Sequence, residues 1–140
     1  MTLRFTSEPD APRDDRLIII NAVDEYNMQV TGDRHDSRVN IFARDEDGVI
    51  RGGILADVWG GWMHITFLWV DEALREQGHA TRLLQMAEDE ARAKGCRGVF
   101  LETFSFQARP FYERFGYQVF GEIADYPPGH TYYFLRKLLG

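Results

Sequence analysis

The chain has 140 residues, enough for one domain with a proper core, and its make-up of 44% hydrophobic and 27% charged residues is ordinary for a globular protein. A net charge of −6, with basic residues scattered among acids as in "AEDEARAK", argues against a nucleic-acid partner, which needs clustered Lys and Arg. The single cysteine, Cys96, excludes an internal disulfide and a cysteine-based zinc site; the chain also shows no apolar run of membrane-spanning length and no signal-peptide pattern, so the expected setting is cytoplasmic, without a membrane partner.

In chain order, "TLRFTS" alternates weakly and is predicted as a short first strand. After a proline-rich entry, Leu17, Ile20, Val23, Asp24 and Asn27 recur at roughly helical steps and Gly32 closes the pattern, which predicts a helix from about Asp14 to Met28. "GDRHDSR" is polar loop. "VNIFARDEDGVIRGGILADVWGGWMHITFLWV" then gives three antiparallel strands in a row, with turns at "DEDG" and "WGG". "ATRLLQMAEDEARAKG" sets Ala80, Leu83, Leu84, Ala87 and Ala91 on one helical face, with Lys94 in the last turn and Gly95 as the stop. "GVFLETF" is a short buried strand, "FQARPFYERFG" a short helix, and "YQVFGEIADY" and "TYYFLRKLL" are strands joined through "PPGH". The order is β-α-β-β-β-α-β-α-β-β, an α/β arrangement of sheet and helices in a single domain over residues 1–140, with no repeats or linkers.

The stretch "VDEALREQGHATRLL", residues 70–84, carries the chain off a strand and into a helix. Gly78 has no Cβ, so its backbone can turn sharply or approach a ligand, and Ala80 is the next smallest choice. The first N–H groups of a helix lack internal partners and its dipole makes that end partly positive, which together suit phosphate oxygens. A plain strand-to-helix connection would use the same small residues. The loop has no "GK[ST]" and only one glycine, so neither a P-loop nor a dinucleotide-binding fingerprint is present.

Arg75-x-x-Gly78-x-Ala80 after "LWVDEAL" resembles the acyl-CoA signature, Q/R-x-x-G-x-G/A, of the GNAT superfamily of N-acetyltransferases. "QARPFYERFGY" is similar to that family's A-x-x-x-Y-x-x-x-G-F/Y segment at Ala108, Tyr112, Gly116 and Tyr117, and the element order matches from end to end. The strings "FLWVDE", "TFSFQARPFY" and "DYPPGH" suggest a small, bacterial-type, single-domain branch. The resemblance implies a mixed, mostly antiparallel central sheet flanked by helices, and acetyl-CoA as acyl donor. It implies that the strand of Leu68, Trp69 and Val70 holds the pantetheine arm. It further implies that N–H groups of Arg75, Glu76, Gln77, Gly78, His79, Ala80 and Thr81 hold the pyrophosphate. Two positions depart from the pattern: Glu76 stands where many members have a second glycine, and Ser105 where many have the asparagine that bonds the cofactor.

Acyl transfer to an amine requires a proton to leave the amine and favours an acid near the departing thiolate. The resemblance implies Tyr112 as that acid and as a cofactor contact; the alternative is that it packs the short helix onto the sheet with Phe111 and Phe115. Alternation along "HITFLWV" predicts His64, Thr66, Leu68 and Val70 on one face, with His64 and Thr66 toward the acceptor. An imidazole can take up a proton near neutral pH, so His64 is one candidate base; Glu102 is its rival, and a water chain is the third route. His79 is expected to face solvent and Cys96 to be buried packing, and His35, His64, His79 and His130 have no metal-ligand spacing, so no metal is expected. "DYPPGHTYY", with Tyr126 and His130, is expected to help shape the acceptor side, as Trp59 and Trp62 could.

The function expected is therefore transfer of an acetyl group from acetyl-CoA to a primary amine by direct attack. The acceptor is a small amine or a protein amine, and a homodimer is compatible. The alternative is a non-catalytic acyl-CoA-binding or sensing domain, which needs the loop but not Tyr112.

Overall fold

A computed structural model describes residues 1–34 and 37–140. The chain divides into two compact units, Met1–Arg34 and His35–Gly140. In the first, the expected strand over "TLRFTS" does not form: Leu3 and Phe5 are 66% and 88% exposed, and two alternating apolar side chains with no partner strand cannot hold extended backbone. Helix α1, Arg13–Thr31, runs slightly past its predicted ends. Gly32, at φ 71°, caps it by donating its N–H to the Met28 carbonyl. None of its residues is buried. His35, in the loop expected between α1 and the first strand, lies outside the described residues.

The second unit is one six-stranded sheet. Strands β1 (Ser37–Arg44), β2 (Ile50–Trp59) and β3 (Trp62–Val70) form the antiparallel hairpins predicted. Helix α2 (His79–Ala93) crosses over to β4 (Gly98–Phe104), which lies parallel to β3. Helix α3 (Arg109–Arg114) is followed by β5 (Gln118–Ala124) and β6 (Thr131–Leu138), and the strand order is β1-β2-β3-β4-β6-β5.

The periodicity of α2 dictates the core: Leu83, Leu84, Ala87 and Ala91 are all buried against Val39, Ile54, Ala56, Met63, Ile65, Val99 and Leu101 of the sheet. Cys96 is buried as well, and burial raises its thiol pKa, as fits a packing role. One polar knot sits inside. Glu88 on α2 is 5% exposed; its carboxylate accepts from the Tyr117 hydroxyl at 2.8 Å and from Lys137 Nζ at 2.9 Å. Burial, and then the neighbouring Glu88 charge, push the Tyr117 phenol far up, so it stays a donor.

The register of β3 is broken once, and the break decides which side chains share a face. Leu55 pairs with Phe67 but Ala56 pairs with Ile65, so Thr66 is an extra residue, a β-bulge. The bulge shifts the side-chain phase. Met63, Ile65, Leu68 and Val70 face α2, whereas His64, Phe67 and Trp69 face the other way, opposite Asp57, Leu55 and Gly53. The expectation that His64 shares a face with Leu68 and Val70 is thereby overturned.

Tyr117→Phe should remove one charge-assisted bond from a buried carboxylate that keeps its lysine, a loss of about 1.5–3 kcal/mol. Urea denaturation of the two proteins checks it, with the midpoint falling and the slope unchanged.

Candidate active site

Strands β3 and β4 pair only from Trp62–Gly98 to Ile65–Leu101, yet β3 continues to Val70 and β4 to Phe104. Beyond Ile65 the two backbones part. The opening is a cleft of about 770 Å³ whose walls include Leu68, Trp69, Val70, Arg75, Ala80, Glu102 and Tyr112. A parallel pair needs a crossover, and here the crossover is α2, so the positive end of that helix arrives at the same end of the sheet where the strands separate.

The entry to α2 is built from backbone constraints. The Asp71 N–H donates to the Arg51 carbonyl at 2.7 Å and its carboxylate accepts from the Ala73 N–H, starting a single tight turn at Glu72–Leu74. Arg51 itself reaches Asp45 at 3.0 Å and Asp71 at 3.5 Å. Arg75 Nε donates back to the Val70 carbonyl at 3.0 Å, closing the loop against the end of β3. Gly78 is the N-cap at φ 83°, and the first helical bond runs from the Arg82 N–H to the Gly78 carbonyl. The N–H groups of His79, Ala80 and Thr81 precede that bond and so are available to an anion. A Cβ on Gly78 would meet nothing within 4 Å, so what requires glycine here is the backbone angle rather than lack of room. Glu76 is also left-handed, at φ 62°, a conformation that favours glycine.

Tyr112, on α3, is 7% exposed and lines the cleft; among the described residues its hydroxyl has no hydrogen-bond partner. Burial raises its pKa to about 12. The turn before α3 is fixed by Gln107, whose carbonyl oxygen accepts from the Phe104 N–H at 2.9 Å and from the Thr103 hydroxyl at 3.3 Å.

On the opposite face, His64 Nε2 lies 2.7 Å from Glu102 Oε2, and the imidazole stacks on Phe100 with centroids 4.4 Å apart and planes 5° off parallel. The contact joins a ring nitrogen to one carboxylate oxygen and leaves the other oxygen of Glu102 outside the pair. Glu102 lines the cleft and His64 stands behind it. The two bases that the sequence sets up as rivals are thus one hydrogen-bonded pair. Tyr132 is a further neighbour: burial first, then the Glu102 charge, raise its phenol.

The remaining candidates are placed around this cleft. Glu76, Gln77, Gly78, His79 and Thr81 form the loop and first turn beside it, with His79 half-buried rather than fully exposed. Ser105 points elsewhere. Its hydroxyl accepts from the Thr131 N–H at 3.0 Å and lies 3.4 Å from His130 Nδ1, tying the end of β4 to the β5–β6 loop. Among the described residues no cluster of His, Cys, Asp or Glu is set to hold a metal, and no helix is long and apolar enough to cross a membrane.

Comparison with known proteins agrees with this fold. Residues 5–117 match the profile of the acetyltransferase (GNAT) family. The chain belongs to the GNAT acetyltransferases. It is 36% identical to acetyltransferase Atu2258 of Agrobacterium fabrum over 80% of this chain and 82% of that protein. It is 43% identical to blasticidin-S acetyltransferase of Streptomyces morookaense over 70% of this chain and 73% of that one. A crystal structure from Agrobacterium tumefaciens assigned to the acetyltransferases superposes with a TM-score of 0.91 at 32% identity, covering 98% of this chain and 100% of that chain. The fold is the α/β GNAT fold, and the chain is an acetyl-CoA-dependent N-acetyltransferase.

Within this GNAT fold, sequence reasoning missed Phe67, Phe104, Phe106, Gln107 and Tyr132 as cleft residues. The available signal was the density of aromatic residues in "TFLW", "TFSF" and "TYYF", which reads equally as core until the register is known.

Glu76→Gly should relieve the left-handed strain and stabilise the fold by roughly 1 kcal/mol, whereas Gly78→Val should destabilise it by about 1–3 kcal/mol. Denaturant midpoints of both variants, measured side by side, check the opposite signs.

Proposed function

We propose that the chain works as a single acyltransferase domain that acetylates a small amine by direct attack, with Tyr112 as general acid and Glu102, braced by His64, accepting the amine's proton. The observation that carries this reading is the parting of β3 and β4, because it brings the helix entry, Tyr112 and Glu102 to one cleft. The residues fit the donor: the N–H groups at the start of α2 suit a pyrophosphate, and the unpaired inner edge of β3 from Thr66 to Val70 suits an extended amide-bearing arm. Arg82, in the first turn of α2 and ion-paired to no described residue, adds a cation there. Acetyl-CoA supplies an activated thioester carbonyl and a thiolate leaving group.

The chain's own residues divide the proton work. Glu102 takes the proton from the amine as the new C–N bond forms, and Tyr112 donates toward the sulfur as the C–S bond breaks. Exchange with solvent then restores both groups. His64 is a positioning residue: its Nε2–H fixes one carboxylate oxygen and leaves the other for the acceptor. Tyr112 has no competing partner among the described residues and stays protonated, as a donor must. Ser105 is occupied by Thr131, so we assign it to holding the loop rather than the donor. A small amine as acceptor is supported by the relative named for blasticidin S. The alternative of a non-catalytic binding domain gives no role to Glu102 and an unpartnered phenol lining one cleft.

Incubation with acetyl-CoA and an amine panel, read by thiol release and by acceptor mass, tests the reading. Acetylated amine is expected, whereas donor binding with product from none of the small amines would overturn the small-amine acceptor. Tyr112→Phe should keep donor affinity and lower kcat on the order of 10²-fold. Because the folded phenol titrates near 12, above the ordinary value near 10, wild-type kcat should show no alkaline loss from Tyr112 up to about pH 10. Glu102→Gln should lower kcat/KM by about 10²-fold or more, and His64→Gln by less, since the amide can still donate to the carboxylate. A pH profile of kcat/KM that is unmoved in Glu102→Gln would assign the proton to water.

A further inference from the structure

The residues lining the cleft divide between the two faces of the sheet, and the two sets differ in chemistry. On the α2 side the wall carries Leu68, Val70, Arg75, Ala80 and Tyr112. On the other side the wall is aromatic. Phe67 and Trp69 stand on β3 at 69% and 51% exposure, and Phe104, Phe106 and Tyr132 stand across the opening. Glu102 is the only acid in the lining among the described residues.

Large aromatic side chains left in water on both walls of one opening mark a binding surface. The far wall is also preorganised. Phe104 and Phe106 stack with centroids 5.1 Å apart and planes 9° off parallel, and Phe104 meets Tyr132 at 4.4 Å. Tyr126 meets both Phe104 and Tyr132 edge-on, at 5.6 Å and 5.2 Å, and His130 meets the edge of Phe106 at 4.8 Å. Each ring is held by its neighbours, so little side-chain freedom is lost when a flat group docks. A polyamine or a protein tail rich in lysine would call for several acids, and one carboxylate is present.

Resting on the acetyltransferase reading above, we infer that the acceptor is a primary amine carried by a planar aromatic or heteroaromatic ring. The ring lies between the Phe67–Trp69 wall and the Phe104–Phe106–Tyr132 wall while Glu102 receives the amino group. Phe67 and Phe106, which no mechanistic role had claimed, and the side chain of Trp69, whose strand edge alone was assigned to the donor, thereby become determinants of acceptor choice.

The test compares kcat/KM for tryptamine, phenethylamine and histamine with that for butylamine and spermidine, under saturating acetyl-CoA. Ring-bearing amines should be preferred by tenfold or more. In Phe106→Ala and Trp69→Ala, the ratio of kcat/KM for tryptamine to that for butylamine should fall by about 3- to 10-fold each, as for loss of one ring contact. Calorimetric binding of acetyl-CoA to each variant reports that the fold is intact. Turnover with butylamine or spermidine equal to that with the ring amines would overturn the inference and leave the acetyltransferase reading standing. A ratio unmoved in both folded variants would do the same. No acetylation of any amine by wild-type protein that binds acetyl-CoA would instead remove the underlying reading.

Discussion

Strands β3 and β4 hold each other over four residue pairs, and the use of the rest of the sheet depends on that short seam. Along Trp62–Ile65 and Gly98–Leu101 the sheet is continuous; past it each strand keeps its outer partner, β2 or β6, and loses its inner one. Backbone polar groups on the inner edges then face a cavity instead of a neighbouring strand, a situation proteins reserve for positions where a ligand or water completes the bonding. The bulge at Thr66 sits at the point of separation and turns the β3 side chains over. The parallel pairing that makes the seam also demands the α2 crossover, so an open edge and a helix N-terminus share one end of the sheet for one topological reason.

The two groups to which the proposed mechanism gives the proton work reach the cleft from opposite sides. Tyr112 belongs to the packed core beneath α2, and burial keeps its phenol neutral. Glu102 lies on the other face, paired with His64 at 2.7 Å and lining the cleft. A sheet that parts lets groups from its dry side and its wet side meet, which an unbroken sheet would keep apart by its own thickness. In the proposed mechanism this gives the donor and the acceptor of protons different environments without any long loop.

Much of this is legible in the order of residues. The 3.6 period of "ATRLLQMAEDEARA" locates the buried stripe of α2, and the glycine turns locate the β1–β3 meander. The loop at Arg75–Ala80 can be read because its demand is local: small residues, then a helix. Strand phase is another matter. One inserted residue at Thr66 inverts the face of every side chain before it, and no local pattern in "HITFLWV" marks an insertion. For the same reason the sequence leaves His64 and Glu102 as rivals: their meeting depends on the register of a parallel pair separated by a helix. "TLRFTS" shows the converse error, since alternation describes a surface a strand would have but not whether a partner exists to pair with it.

The strand order has a further bearing on how the molecule comes together. β6 lies between β4 and β5, so β5, although it precedes β6 along the chain, has no place in the sheet until β6 arrives. The β1–β3 hairpins close through near neighbours in sequence, which is fast, whereas Phe104 meets Tyr132 only across the whole of α3 and β5. The β5–β6 hairpin is as local as the β1–β3 meander, with Ala124 paired to Thr131, so the long-range step is the docking of that hairpin on β4, and the aromatic wall is complete only with that docking. The wall that the inferred ring would meet is therefore built from a long-range pairing in the second unit's sheet, while the β3 wall opposite rests on local hairpins.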